Sequence, residues 1–448
     1  MAKNKEAIYD ARTLGTGKMF VLGLQHMFAM FGATVLVPII TGLSVSSTLL
    51  FAGLGTLLFH LITGGRVPAF LGSSFAFLGG YAAVKTVCEA NGIEHFSAYA
   101  GVGVACAGLI YLILSLLFKI FGPTKVMRFF PPIVTGPIII AIGLTLSSSA
   151  ITNCSANWWI AIVAIAVIII CNIWGKGMVK IIPILLGVII SYLVALITKN
   201  VDFTIVKEAS WIGLPVVWQD TALSLFGAES TNISVIITSV ITIMPIALAT
   251  MIEHIGDICA ISSTVEINYI EKPGLHRTLA GDGLATSMAA LFGAPANTTY
   301  GENTGVLALS KVYDPRVIRI AAVLAALFSF SPKFAALINS MPTAVVGGVS
   351  LVLYGMISAV GVRNVVENKV DFTKSRNVII AALILVLSIG INYSEAGAVL
   401  FTIGSATISL SGLAVAALVG IILNAVLPGK DYEFGKDLQG DTAVNFEV

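Results

Sequence analysis

Apolar stretches of about 18 or more residues recur along the chain from Phe20 to Leu427, each long enough to cross roughly 30 Å of hydrocarbon as a helix. Polar or Gly/Pro-rich breaks divide them into about fourteen segments. Seven centre near residues 30, 54, 76, 109, 141, 166 and 189, and seven near 243, 285, 304, 325, 351, 383 and 411. The segments near 76 and 304 are poor helices: residues 67 to 80 read VPAFLGSSFAFLGG, and 293 to 305 read GAPANTTYGENTG. Pro, Gly, Ser, Thr and Asn weaken a helix and leave backbone groups unpaired. In hydrocarbon each such group costs several kcal/mol, so this backbone must be buried in protein or line a polar cavity.

Composition agrees with a membrane-embedded chain. Of 448 residues 57% are hydrophobic and 11% charged, against about 25% charged in an ordinary soluble domain. Soluble enzymes, nucleic-acid binders and disulfide scaffolds are excluded on this ground. The net charge of +2 implies no partner. The five cysteines (Cys88, Cys106, Cys154, Cys171 and Cys259) are scattered through apolar sequence and read as small hydrophobes, with no metal or cofactor role. The polar segment from Met1 to Lys18 lacks a signal-peptide pattern, so the first span is retained.

Charge distribution orients the segments. With a cytoplasmic N-terminus and alternating loops, only Lys85, Lys199, Lys207 and Lys333 of the 25 Lys and Arg residues fall on the far side. Both termini are therefore expected in the cytoplasm. The longest outside loop, about 199 to 231, is positioned to cover the outer face.

The two halves echo one another. Gln25-His26 corresponds to Glu253-His254 at 228 positions, Pro68 to Pro295 at 227, and Gly72 to Gly301 at 229. Pro131 and Gly136 correspond to Pro342 and Gly347, both at 211. An odd number of spans per half makes the repeats inverted, the architecture of many secondary transporters. Interrupted segments at matching places are then the sequence pointer to the substrate site.

Two carboxylates lie where charge is costly: Glu253, after about sixteen largely apolar residues, and Glu302, inside the second broken stretch. An ionised group at such depth costs at least about 2.5–3.5 kcal/mol on insertion scales and marks function. A carboxylate accepts N–H bonds from a ligand, and one that exchanges a proton couples binding to a proton gradient. Asp257 falls one turn after Glu253 on the same face, where it either shares the polar site or marks the end of the span. His26 is intramembrane and stands opposite the Glu253 neighbourhood in the repeat. His254 points about 100° from Glu253 and is expected to pack elsewhere. Asp282, in TLAGDGLAT, reads as a helix-end residue. Phe75 is the aromatic best placed to stack a flat ligand, because it lies in the first broken stretch. The EHxxD cluster does not make a metal hydrolase, since a zincin helix needs a second His where Asp257 stands.

LQHMFAMFGATVLVP, VPAFLGSSFAF, EHIGD, PGLHR, NTTYGENTGV and GGVSLVLYG together resemble bacterial uracil permeases of the nucleobase–cation symporter-2 (nucleobase–ascorbate transporter) family. The resemblance runs from about Leu22 to about Asp371. It implies an all-α polytopic membrane protein of fourteen spans in two inverted repeats of seven, with short antiparallel strands and half-helices in spans 3 and 10. It also implies a core domain (1–122 and 232–340), a gate domain (123–231 and 341–428) and a cytoplasmic tail (429–448).

Carried over position by position, Glu253 and Glu302 match the acids that hold the pyrimidine. Phe75 and Gly301 match residues whose backbone N–H groups reach its carbonyl oxygens, with Ser74 and Tyr300 completing the substrate set. His26, Asp257 and Asn303 join the two acids in the polar, proton-coupling network, and Tyr354 lies in the matching gate segment. Asp257 stands where some uracil permeases have a histidine. Glu302 stands where xanthine and urate relatives carry glutamine.

The expectation is therefore a uracil–proton symporter of the cell membrane, with lipid around it, proton coupling preferred over sodium, and a homodimer compatible with the family. No cofactor, metal or nucleic acid is expected, and the chain is not an enzyme. A xanthine or urate permease of the same fold is the nearer alternative. An anion transporter or channel sharing the inverted architecture is the more distant one, because paired acids repel an anion.

Overall fold

The computed structural model describes residues 7–226, 231–403, 406–430 and 432, with the side chains of Ile181, Glu302, 401–403 and 406–409 outside that description. The chain is mostly helical. In order it forms α1 (Thr16–Thr41), α2 (Val45–Ile62), strand β1 (Leu71–Ser73), α3 (Leu78–Ala90), α4 (Phe96–Phe121), α5 (Pro132–Ser155), α6 (Trp158–Trp174) and α7 (Pro183–Ile197). The second half forms α8 (Ile233–Ile243), α9 (Ala247–Val265), α10 (Leu275–Leu291), β2 (Asn297–Thr299), α11 (Gly301–Ser310), α12 (Pro315–Phe328), α13 (Pro332–Asn339), α14 (Thr343–Glu367) and α15 (Ser375–Asn392). A hairpin of β3 (Ala398–Ile403) and β4 (Ala406–Ser411) then leads into α16 (Gly412–Val426).

Among the described residues, seven helices are long and apolar enough to cross a membrane, counting α8 and α9 as one at Ile233–Val265. A short 3-10 turn, Met244–Ile246, joins those two where Pro245 lacks an N–H. The pair α12 and α13, bent by 89°, supplies an eighth crossing if taken as one span, and α6, α7 and α16 are shorter apolar helices. Helix starts follow local chemistry. Ser44, Asn157 and Asn232 accept backbone N–H groups at the starts of α2, α6 and α8.

The broken stretches solve their hydrogen-bonding problem by meeting one another. β1 and β2 pair antiparallel, Leu71 opposite Thr299, Gly72 opposite Thr298 and Ser73 opposite Asn297. Ser74 N to Ala296 O (2.8 Å) and Tyr300 N to Phe70 O (3.0 Å) extend the ladder. Side chains take the outward-facing groups. Thr56 Oγ1 accepts from Leu71 N at 2.9 Å, Tyr81 OH accepts from Ala296 N at 2.9 Å, and Thr286 Oγ1 donates to Asn297 O at 3.0 Å. Every one of these residues is buried, as backbone at membrane depth requires.

Helices α1, α2, α9 and α10 pack on this two-stranded element, and α5, α6, α7, α14, α15 and α16 pack mainly on one another. Where α5 and α14 cross, Gly136, Gly143 and Gly361 leave no room for a side chain, so the backbones touch. The described part of the loop between α7 and α8 lies on the ends of neighbouring helices, through Ser47 Oγ to Pro215 O (2.7 Å), Gly213 N to Phe330 O (3.0 Å) and Lys333 N to Ser210 O (2.9 Å). At the N-terminus, Ile8 pairs with Val312, and Asp10 binds Arg12 and Arg316. The Arg12 guanidinium, bonded to Asp10, holds that carboxyl well below the usual carboxylate range.

Two expectations need correction. The last apolar segment is not a helix centred near 411: residues up to Ser411 form the β3–β4 hairpin, and helix begins only at Gly412. Val399, Thr402, Ile403, Thr407 and Ile408 are β-branched, and this extended preference outweighs mean hydropathy. Asp282 is not at a helix end either. It sits in the middle of α10, fully buried. The tail beyond 432 lies outside the described residues.

Candidate substrate site

A cavity of about 380 Å³ lies between the β1–β2 element and α5, α9 and α14. This volume is within the range of about 300–1,000 Å³ usual for small-molecule sites. Phe75, Glu253, Asp257, Tyr300 and Gly301 all line it, so five residues from three distant stretches of sequence meet on one surface. Glu253 and Asp257 lie one turn apart on α9 and face the cavity together. His254, between them, is turned into the protein interior.

Gly301 is the first residue of α11, and its backbone is exposed to the cavity. A side chain there would meet only Asp257 Oδ1, at 3.9 Å. The first N–H groups of a helix have no partner within it and carry partial positive charge, so the start of α11 offers donors to a carbonyl oxygen. Facing it across the cavity wall are carboxylates, which accept N–H groups. The cavity thus presents donors and acceptors together on a largely apolar surface that includes Ile139, Leu353, Met356 and Ile357. That combination suits a flat, polar-edged, uncharged ligand.

Tyr300 is fixed rather than free to swing. Its hydroxyl donates to Ser73 O at 2.9 Å and lies 3.2 Å from Ser73 Oγ, which itself donates to Thr34 O at 2.8 Å. Phe75 packs edge-on against Tyr354 of α14, with centroids 5.7 Å apart and planes at 74°. This contact backs the part of the cavity wall that Phe75 forms. Elsewhere on the lining, Thr135 Oγ1 donates to Asn364 Oδ1 at 3.2 Å and Arg363 pairs with Glu367.

The remaining predicted residues stand behind the wall. Ser74 is buried, and its backbone continues the strand ladder. Asn303 Nδ2 donates to His26 O at 3.1 Å and lies 3.2 Å from His26 Nδ1, tying α11 to α1. Tyr354 touches the site only through Phe75. Glu302 is the second residue of α11, next to Gly301, and its side chain lies outside the described residues. Sequence reasoning missed Thr298 and Thr299, which also line the cavity, although both lie in the stretch already singled out. It also missed Thr135 and Asn364, which nothing in the sequence brings together. Among the described residues, no group of three or more His, Cys, Asp or Glu is arranged to hold a metal.

Residues 17–397 match the model of a permease family, that of the nucleobase–ascorbate transporters. The chain belongs to this permease family. The uracil permease of Bacillus caldolyticus is 42% identical over 432 residues, covering 94% of each chain. The uracil permease of Bacillus subtilis is 40% identical over 441 residues, covering 95% of each. A putative pyrimidine permease of Escherichia coli is 38% identical over 420 residues, covering 92% of this permease and 89% of that one. Its relatives being permeases, the chain is a transporter and not an enzyme, a multi-pass protein of the cell membrane.

Two solved structures share the fold of this permease. The transmembrane domain of the cyanobacterial bicarbonate transporter BicA aligns with a TM-score of 0.59 at 17% identity, over 94% of this chain and 99% of that one. The anion-transporter relative SLC26A9 aligns with a TM-score of 0.60 at 13% identity, over 93% and 66%. At such identities the likeness is one of fold alone.

Proposed function

We propose that this permease imports uracil by proton symport. The observation that carries the reading is the joint lining of one cavity by the Glu253 carboxylate and the open N-terminus of α11 at Gly301. Uracil presents two N–H donors and two C=O acceptors around a flat ring. A carboxylate complements the first and helix-terminal amides the second, while Phe75 and Tyr300 supply apolar faces. Relatives about 40% identical over nearly the whole chain carry the name uracil permease. Glu253 is the proton carrier in this scheme, with Glu302 beside Gly301 as the second acid and Asp257 one turn along. An anionic substrate fits poorly, because Glu253 and Asp257 both line the cavity and repel it.

The fourteen-span reading takes α3 with β1, and α11 with β2, as broken third and tenth spans. Support comes from their antiparallel pairing at equivalent places, 226 residues apart from Leu71 to Asn297. Helices α1 to α4 and α8 to α13 form the core, and α5 to α7 with α14 to α16 form the gate. Both termini are cytoplasmic in this reading, so the end of the cavity lined by Arg363, Glu367 and Asn368 faces inward. Movement of core against gate, parting Phe75 from Tyr354, opens the outer side.

Uptake of labelled uracil into vesicles tests this. A vesicle interior more alkaline than the medium should drive accumulation, and a protonophore should abolish it. Excess xanthine should not compete, and Glu302→Gln should lose most uptake with expression unchanged. Gradient-independent uptake, or stronger competition by xanthine than by unlabelled uracil, contradicts the proposal.

A further inference from the structure

His254 follows Glu253 on α9 and points into the core, where its Nδ1 lies 2.9 Å from Asp282 Oδ2 of α10 and 2.8 Å from Thr299 Oγ1 of β2. The ring and the carboxylate are wholly buried, and Thr299 nearly so. The Phe59 ring meets the imidazole edge-on, with centroids 6.3 Å apart. His254 Nδ1 is thus hydrogen-bonded to the Thr299 hydroxyl, with the Asp282 carboxyl within ion-pair distance of the same nitrogen.

A buried pair of this kind adds little net stability, since desolvation offsets the attraction, and apolar residues of equal volume would join the helices as well. What apolar packing does not supply is direction. Adjacent residues on a helix are separated by about 100°, so holding the His254 ring at one azimuth determines where Glu253 projects. The same ring holds Thr299, whose neighbours Tyr300 and Gly301 carry the opposite wall of the cavity. His26, at the corresponding place of the first repeat, holds Asn303 two residues beyond Gly301. The segment from Thr299 to Asn303 is thus clasped at both ends by histidines equivalent in the repeat.

We infer that Asp282 and His254 are positioning residues for substrate: through Thr299 they set the distance between the Glu253 carboxylate and the amides at the start of α11. The inference rests on uracil being the substrate of this cavity. Neither residue touches the ligand, so the effect falls on affinity.

The test uses the full-length protein in vesicles, measuring KM and Vmax for uracil uptake. Thr299→Val, which keeps the shape and removes the hydroxyl, should raise KM about tenfold and leave Vmax within about twofold. Thr299→Ser should restore KM. Asp282→Ala should raise KM further, and its combination with Thr299→Val should fall well short of the product of the two, because both act through His254. A wild-type KM in Thr299→Val, no recovery in Thr299→Ser, or effects that simply multiply would overturn the inference. Should Asp282→Ala fail to reach the membrane, the Thr299 pair decides alone. Absence of uracil uptake by the unaltered permease would instead remove the substrate assignment, and this inference with it.

Discussion

Replacing Glu253 by alanine should abolish uracil uptake, lowering it by at least about a hundredfold, while the protein still reaches the membrane in normal amount. A hydrogen bond to a charged group is worth about 1.5–3 kcal/mol, and each 1.4 kcal/mol is a factor of about ten. One N–H of the ring loses its charged acceptor and the proton-exchanging group is lost with it, so the effects compound. Glu253 lines the cavity and is only partly buried, hence folding should survive its truncation. Glu253→Gln separates the two tasks of the acid. One amide oxygen still accepts, so weak binding should persist, but the residue no longer exchanges a proton. Its residual uptake should be insensitive to the pH gradient. Radiolabelled uptake with and without a protonophore, alongside immunoblotting of membranes, measures both arms.

The second large effect is expected far from any charge. Gly72 sits in β1 directly under the Tyr300 ring. A methyl group there would stand 2.4 Å from two ring carbons and 2.8 Å from Thr34 Oγ1. The ring is tethered through its hydroxyl to Ser73, and β1 is bonded to β2 on the other side. Neither yields without breaking the ladder. Overpacking of this kind costs about 1–3 kcal/mol, and here it also displaces a wall of the cavity. Gly72→Ala should therefore lower the melting temperature in detergent and reduce uptake by at least about tenfold. Gly79→Ala, where nothing lies within 4 Å of the added carbon, is the control and should be neutral. Equal behaviour of the two variants would mean that Tyr300 does not depend on its contact with the strand.

Hydropathy made most of the helices legible, because in a membrane apolar length is nearly the whole requirement. It failed at residues 398–411, where the same apolar content was carried by β-branched residues that pair as a hairpin. Legibility of the broken stretches had a different cause. VPAFLGSSFAF and APANTTYGEN contain residues no lipid-exposed helix tolerates, so their exceptional role followed from chemistry alone. That the two would bond to each other did not follow, since pairing across 226 residues leaves no local trace.

For the site, periodicity correctly separated the face bearing Glu253 and Asp257 from that bearing His254. It had no means of finding what His254 meets. Asp282, flanked by two glycines, looked like a helix terminus. Those glycines instead admit neighbouring elements: Gly281 lies against Phe59 and Gly283 against Tyr111. A buried acid with its partner on another helix has no signature in its own segment.

The most direct test of the central claim is the uracil-induced change in melting temperature of the purified permease in detergent, with Glu253→Ala beside it. Ligand at a hundredfold excess over its Kd stabilises the bound protein by about 2.7 kcal/mol. The unaltered permease should melt measurably higher with uracil and unchanged with xanthine, and Glu253→Ala should show no shift. An equal shift in the alanine variant, or none in the unaltered protein at saturating uracil, would mean that the ring does not dock against Glu253.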